Sequence, residues 1–470
     1  MIALLCALFS GGFFYLAYGV DSVWQLAWIA PVPLLWLTYG NAPRWQVFAA
    51  SFAASAMGMV YLFQVYGSYI LLAAVVMVVV NGTLLGAIVL LAHKASDRLP
   101  LPVAVFAFPA FWTSVEYLES LVSPHGAWGA MGYSQVDWPA AIQLAAITGV
   151  HGVTFLLCVF ASALALLLRG RRVPGAIGIG LSLVAIVGGY VRLATPETST
   201  VRVAALADVV DHHSPEPPGA AQIYAAAIRA EAGRGVQIFV TPETGVESET
   251  LAPIAAAAAQ TGSLVVVGTH GDKPARNMAV AFRPGAEPTT YDKRHRLLPG
   301  EAIYQPGTHS GYLGNGMATA ICKDLDFPTT IRADAESGIR LMMVPANDFG
   351  RDGWMHARQA VMRGVEDGFA VLRTAFHGLE TITDDRGQLL ASARVDHPGF
   401  TSIQADVPLG SGSTFYSQFG DLFAWLSLIA AVCLGAASCL RRGAPTGRPI
   451  SNSTLLSRHG TTPAASSSTT

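Results

Sequence analysis

Cys322 stands in the run Ile321-Cys322-Lys323-Asp324-Leu325-Asp326-Phe327-Pro328, and it is the only one of five cysteines in a polar part of the chain. Cys6, Cys158, Cys433 and Cys439 lie inside or at the edge of apolar segments, where a cysteine behaves as a small hydrophobe. No disulfide partner is therefore at hand for Cys322. A thiol is a poor nucleophile until it loses its proton, so it needs a base to take that proton and a cation to hold the thiolate. Two short patterns upstream supply both: Thr241-Pro242-Glu243 offers a carboxylate, and Tyr291-Asp292-Lys293-Arg294-His295 an ammonium. Glu243 would take the thiol proton and return it to a leaving group. Lys293, with the backbone N–H of Lys323, would donate to the oxyanion of a tetrahedral intermediate. Each residue alone has a plainer use, as an inert thiol, a helix N-cap acid or part of a solvated basic run at 293–296. Together they fit attack of an activated thiol on a carbonyl through a tetrahedral intermediate.

The elements that must position these residues are readable around them. Short β-rich runs at 201–208, 237–243, 263–269, 317–324 and 341–347 alternate with helical patterns at 218–234, 249–260, 328–337 and 353–367. That alternation predicts an α/β domain. Each candidate residue follows a strand, where α/β proteins place their sites. Asp324 is read as orienting the turn after Cys322 through backbone hydrogen bonds. His295, His356 and His377 are read as structural.

The surroundings are apolar. Of 470 residues 52% are hydrophobic and 13% charged, and residues 1–196 hold only 12 of the 60 charged side chains. A bilayer is the solvent this composition implies for the N-terminal part. Stretches approaching or exceeding the roughly 20 residues needed to span it run near 1–18, 22–40, 46–66, 68–92, 101–120, 139–168, 173–194 and 418–440. Segment 1–18 lacks the basic start of a secretion signal and is read as a span. Arg44, Lys94, Arg98, Arg169, Arg171, Arg172, Arg441, Arg442 and Arg448 fall on one side of the resulting topology, whereas 19–22, the stretch around Gly67 and 121–138 contain no Lys or Arg. The basic side faces the cytoplasm, so both termini are expected inside and residues 195–417 outside. The predicted organisation is a seven-span domain over 1–194, a catalytic domain over 195–417, a closing span at 418–440 and a disordered cytoplasmic tail over 441–470. With a net charge of -2, no long basic run and no zinc or phosphate-loop spacing, neither nucleic-acid nor metal chemistry is indicated.

The three catalytic patterns, with Pro299-Gly300-Glu301, Tyr304-Gln305-Pro306-Gly307 and the helical region from Asn347 through His356 and Arg363 to Glu366, resemble the carbon-nitrogen hydrolase (nitrilase) superfamily. In the apolar part, the run from Phe108 to Tyr117, then Gly132-Tyr133-Ser134-Gln135, then the run from Gly149 to Phe155 resemble the membrane motifs of bacterial apolipoprotein N-acyltransferases. The resemblance covers about residues 8–440. It implies an α-β-β-α sandwich outside a cytoplasmic membrane of about eight spans, with Glu301 as a second carboxylate supporting Lys293. It also implies a phospholipid donor, a diacylglyceryl-cysteine lipoprotein acceptor and no cofactor. Glu116 and Glu119 are read as snorkelling or loop residues. Two features depart from the family. Only about 15 residues separate Glu301 from the strand entering Cys322, where the family carries a long arm. Asn347-Asp348-Phe349-Gly350 lacks the family's Ala-Trp pair, with Trp354 nearby, and Phe376-His377-Gly378 stands for Asn-Asn-Gly. A membrane-tethered amidase or acyltransferase acting on another amide or amine therefore stays open at this point.

Overall fold

The computed structural model describes residues 1–195, 199–209 and 219–440, without the side chains of 66–70. The tail expected over 441–470 and the start of the helix expected from 218 lie outside the described residues.

Among the described residues six helical stretches are long and apolar enough to cross a membrane: Arg44–Val65, Leu71–Arg98, Leu101–Val122, Val150–Leu168, Arg172–Leu193 and Leu422–Leu440; the stretch around Gly67, expected as a connection, is instead helical within Val60–Arg98. Ile2–Tyr18 is a helix of 17 residues. The expected span at 22–40 is instead a 3-10 turn, Trp24–Trp28, and a seven-residue helix, Val32–Thr38. Pro31 and Pro33 explain the break, because proline is accepted in the first turn of a helix and excluded from its interior. The expected span at 139–168 is likewise broken. Pro139–Ile142 and Ala145–Thr148 are separate turns that stop at Gly149, which has φ +68°, before the helix Val150–Leu168 begins. A Cβ on Gly149 would lie 2.6 Å from the Tyr416 ring, so backbone conformation and close approach both demand glycine there. Small residues also let the helices close up: Gly82 and Gly86 sit against the rings of Phe52 and Phe48.

The polar part opens at the strand Thr200–Val209 and closes with Gly399–Pro408, which pair antiparallel along their whole length. They form the edge of a first sheet that continues through Ile238–Val240, Leu264–Asp272, Ala275–Phe282 and Thr289–Asp292, with the two-residue strand Val246–Glu247 beside Leu264–Asp272. A second sheet runs in the order Leu389–Val395, Gly378–Thr383, Ala370–Phe376, Leu341–Asn347, Met317–Thr319, Tyr312–Gly314. The inner faces of the two sheets meet through Val203, Val240, Val266, Ile321, Leu341, Met343 and Leu372, all buried. The strands are apolar on both faces because each sheet is covered twice. Helices Ala220–Ala232 and Ala252–Thr261 pack outside the first sheet through Tyr224, Ile228 and Ile254. Pro328–Ala335 and Gly353–Asp367 cover the second through Ile331 and Ala360. The result is the four-layer α-β-β-α arrangement that the resemblance implies.

Helix Gly353–Asp367 has a second neighbour. Its residues Val361, Met362 and Val365 pack on Ala130, Tyr133, Ile142 and Val150 of the membrane part. Polar bonds fasten the same seam: Arg363 Nη2 donates to Tyr133 Oη at 2.8 Å, Val150 N to Glu366 Oε1 at 2.6 Å, and Gln143 Nε2 to the Arg386 carbonyl at 2.8 Å.

Candidate active site

Three chain reversals at one end of the sandwich bring the candidate residues together. Glu243 follows strand Ile238–Val240, and its N–H donates to the Ala346 carbonyl of the second sheet at 3.2 Å. The turn is possible because Gly268 lies beneath it; a Cβ there would be 2.0 Å from the Pro242 carbonyl oxygen. Lys293 follows strand Thr289–Asp292, with its N–H bonded to the Asn277 carbonyl at 2.9 Å. Cys322 follows strand Met317–Thr319 with φ +43°, a left-handed conformation that a cysteine adopts only where the surroundings hold it. Its Sγ lies 3.8 Å from the Asn347 carbonyl oxygen.

Asp324 does the holding. Its Oδ2 accepts from Ile321 N at 3.0 Å and Tyr291 Oη at 2.7 Å, while its Oδ1 accepts from His295 N at 2.8 Å and Arg294 N at 3.2 Å. One buried carboxylate thus ties the turn bearing the thiol to the loop bearing the lysine. Burial alone would raise its pKa, but the bonds from His295, Tyr291 and Ile321 outweigh it and hold the carboxyl below the usual range.

Lys293 is 3% exposed, and its ammonium is clasped between two carboxylates, 2.6 Å from Glu243 Oε1 and 2.7 Å from Glu301 Oε1. Asn277 Nδ2 reaches the same two oxygens at 2.7 and 3.0 Å. Glu301 is fixed in turn by Leu297 N at 2.5 Å on its other oxygen. Burial works against the ammonium, but Glu243, Cys322 and Glu301 together hold its pKa well above the ordinary lysine value. For Glu243, burial and the neighbouring Glu301 outweigh Lys293, so its pKa lies above that of a free carboxylate and it is the stronger base for it. Burial and Glu243 raise the Cys322 thiol well above its usual value, opposed by Lys293 and Arg373. At rest the sulfur therefore keeps its proton, with a carboxylate base and a fixed cation acting on it.

The side chain of Lys323 takes another direction: Nζ meets His125 Nδ1 at 3.0 Å and Asp326 Oδ2 at 3.5 Å. His125 belongs to the loop at 123–130, which lines a cavity of about 190 Å³ between the membrane helices. That loop joins the turn after the nucleophile through Ala127 N, which donates to the Asp326 carbonyl at 2.9 Å. His295 stacks on Phe327 with ring centres 3.7 Å apart, and His356 pairs with Asp352 at 3.0 Å and packs on Trp128. His377 has φ +51° in the turn between two strands. In the run that lacks the Ala-Trp pair, Asp348 forms a buried pair with Arg373 at 2.5 Å. Trp354 donates to Asp137 at 3.3 Å on the membrane side.

Glu116 departs from the snorkelling reading. It accepts from Met131 N at 2.9 Å, Trp112 Nε1 at 3.3 Å and Thr154 Oγ1 at 2.7 Å, and it meets His151 at 3.2 Å. It is a staple between two helices and the loop leading to Gly132, because a carboxylate at that depth is stable only when fully bonded. Asn277 carries no sequence signal of its own, since it follows Arg276 near the start of the strand Ala275–Phe282. Among the described residues no group of three or more His, Cys, Asp or Glu is placed to hold a metal ion.

Residues 10–163 match the sequence model of the apolipoprotein N-acyltransferase N-terminal domain, and residues 217–410 that of the carbon-nitrogen hydrolases. The chain is 26% identical to the apolipoprotein N-acyltransferase of Geobacter metallireducens, over 93% of this chain and 95% of that protein. It is 25% identical to that of Pasteurella multocida with the same two coverages. Among solved structures it is similar to an amidase from Nesterenkonia sp., at a TM-score of 0.38 and 19% identity over 45% of this chain and 93% of that one.

Proposed function

Because the chain belongs to the apolipoprotein N-acyltransferase family, within the carbon-nitrogen hydrolase superfamily, we propose that it moves an acyl chain from a phospholipid, through a cysteine thioester, to the N-terminal amine of a diacylglyceryl-cysteine lipoprotein. Cys322, Glu243 and Lys293 carry this chemistry. Glu243 takes the thiol proton as Sγ attacks the ester carbonyl of the donor. The oxyanion that forms is met by the Lys293 ammonium and the Lys323 backbone N–H. Collapse breaks the C–O bond, the lysophospholipid leaves with the proton from Glu243, and the acyl group stays on sulfur. The acceptor amine then attacks the thioester, gives its proton to Glu243 and becomes an amide, after which the thiolate recovers that proton. A thioester already stores the needed acyl potential, so no nucleotide takes part. Glu301 and Asn277 keep the lysine aimed, and Asp324 keeps the turn.

The observation that carries this reading is the buried ammonium of Lys293, held at 2.6 and 2.7 Å between two carboxylates, with its charge acting on a cysteine in a left-handed conformation. A different amine or amide acceptor is not favoured, since the likeness spans 95% of the curated relatives. The reading places the enzyme in the bacterial cytoplasmic membrane with eight crossings, counting the short helix Ile2–Tyr18 and the broken segment at 22–40. Residues 195–417 lie outside between the spans of 1–194 and 418–440, and both termini, with the tail at 441–470, lie inside. The basic residues confined to one set of loops support this arrangement. The test is a reconstituted assay with phospholipid and a diacylglyceryl-cysteine peptide: the peptide should gain one amide-linked chain. A product with no such amide, or water as the only acceptor, would refute the assignment.

A further inference from the structure

The turn that carries the nucleophile is held from two sides. On one side Asp324 ties it to the loop bearing Lys293. On the other it meets the loop at 123–130, which follows the membrane helix Leu101–Val122. Three contacts make this second seam. Ala127 N donates to the Asp326 carbonyl at 2.9 Å, and Trp128 packs on His356 with ring centres 4.6 Å apart. The third is the Lys323 ammonium, which donates to His125 Nδ1 at 3.0 Å. The approach is close enough to demand glycine at 126, where φ is +53° and a Cβ would lie 2.2 Å from the Asp326 carbonyl oxygen.

The bond between Lys323 and His125 is not what cohesion alone would select. Lys323 is 6% exposed, and a buried ammonium is ordinarily paired with a carboxylate. Here the carboxylate, Asp326 Oδ2, stands off at 3.5 Å and the nearer partner is an imidazole. An ammonium only donates, so Nδ1 is the acceptor and the ring is neutral, with its proton on Nε2. Partial burial and the charge of Lys323 push the His125 pKa down to about 4, which keeps the ring in that state. A methionine at 323 would fill similar space with no charge to desolvate. What the bond does fix is the residue immediately after Cys322, at the start of the 3-10 turn Cys322–Asp326. That residue's backbone N–H is the one assigned above to the oxyanion.

We propose that His125 is a positioning residue for acyl transfer: by accepting from the Lys323 side chain it holds the Lys323 backbone N–H on the oxyanion, an inference that rests on the acyl-transfer reading above. The test compares two reactions of the same sulfur in the full-length protein. Single-turnover acylation by phospholipid passes through an oxyanion, whereas alkylation by iodoacetamide displaces iodide at a saturated carbon and forms none. In His125→Leu acylation should slow about 10–100-fold, the scale of loss that a misplacement of about 1 Å brings, while the rate and pH profile of alkylation stay unchanged. His125→Asn, whose Oδ1 takes the place of Nδ1, should recover most of the lost rate. Lys323→Met removes the same bond from its other end, whether or not the histidine variant folds, and should separate the two reactions in the same way. Adding His125→Leu to Lys323→Met should then cost nothing further. Wild-type acylation in His125→Leu, a parallel loss of alkylation, equal losses in the leucine and asparagine variants, or additive losses in the double variant would overturn the proposal alone. A wild-type protein that is alkylated at Cys322 yet takes no acyl chain from any phospholipid would overturn the parent reading and this one with it.

Discussion

Replacing Lys293 by methionine keeps the length of the side chain and removes the charge that three groups depend on. Glu243 and Glu301 would be left facing each other with only Asn277 donating to both. Breaking a buried pair by removing one partner costs about 3–5 kcal/mol, part of which the protein escapes by protonating one of the two carboxylates. The base is then half disabled and the oxyanion has lost a donor. Losing a single oxyanion donor costs about 10²–10³ in rate, so single-turnover acylation should slow by at least that much. The thiol should report the change directly. Lys293 lowers the Cys322 pKa while burial and Glu243 raise it, and an adjacent opposite charge is worth about 1–3 pH units. Alkylation of Cys322 by iodoacetamide, followed against pH, should therefore move upward by about one unit or more in Lys293→Met. Arg296→Met, which removes only bonds to the Ala302 and Tyr304 carbonyls, is the control and should change the rate little. Wild-type turnover together with an unshifted alkylation profile in Lys293→Met would refute the reasoning.

Cys322→Ala should abolish acylation with the fold intact, and Cys322→Ser should be nearly as inactive, whereas Cys158→Ala should remain active; an inactive but stable Cys158→Ala protein would show the thiol chemistry misplaced. Burial pushes the carboxyl of Glu380 up to about 8, so the folded state holds a proton that the unfolded state releases near the ordinary value of about 4.3. This group's contribution to stability is full below that lower value and is lost as pH rises toward 8. Glu380→Gln should accordingly raise the melting temperature more at pH 8 than at pH 5, and an equal change at both would contradict the assignment. For the topology, a reporter active only outside the cytoplasm should work when fused near Ser248 and be silent after Gly443. The reverse pattern would deny the enzyme its acceptor.

The convergence of the candidate residues was legible where residue type and local order suffice. Cys322, Lys293 and Glu243 each follow a strand, and the structure brings Lys293 and Glu243 to 2.6 Å across 50 residues of sequence. Asp324 could be read as the residue orienting the elbow because it lies two positions after the cysteine, although its bonds to the Arg294 and His295 N–H groups needed the fold. Asn277 escaped notice because its neighbours spell an ordinary strand, and its role exists only where two distant carboxylates converge. The long apolar helices were legible by hydropathy, which counts apolar residues without regard to backbone breaks. Pro31, Pro33 and Gly149 interrupt runs that are apolar enough to cross. Glu116 was misread for a similar reason: its four partners come from its own helix, from the loop at Met131 and from the helix Val150–Leu168.

The central claim is that Cys322 carries the acyl chain, and intact-mass spectrometry of the purified protein tests it most directly. After incubation with phospholipid and no acceptor, the account predicts one added acyl mass, mapped to the peptide containing Cys322, labile to neutral hydroxylamine and discharged when a diacylglyceryl-cysteine peptide is supplied. An unmodified Cys322 in a protein that still transfers acyl chains, or an adduct at another residue, would contradict it.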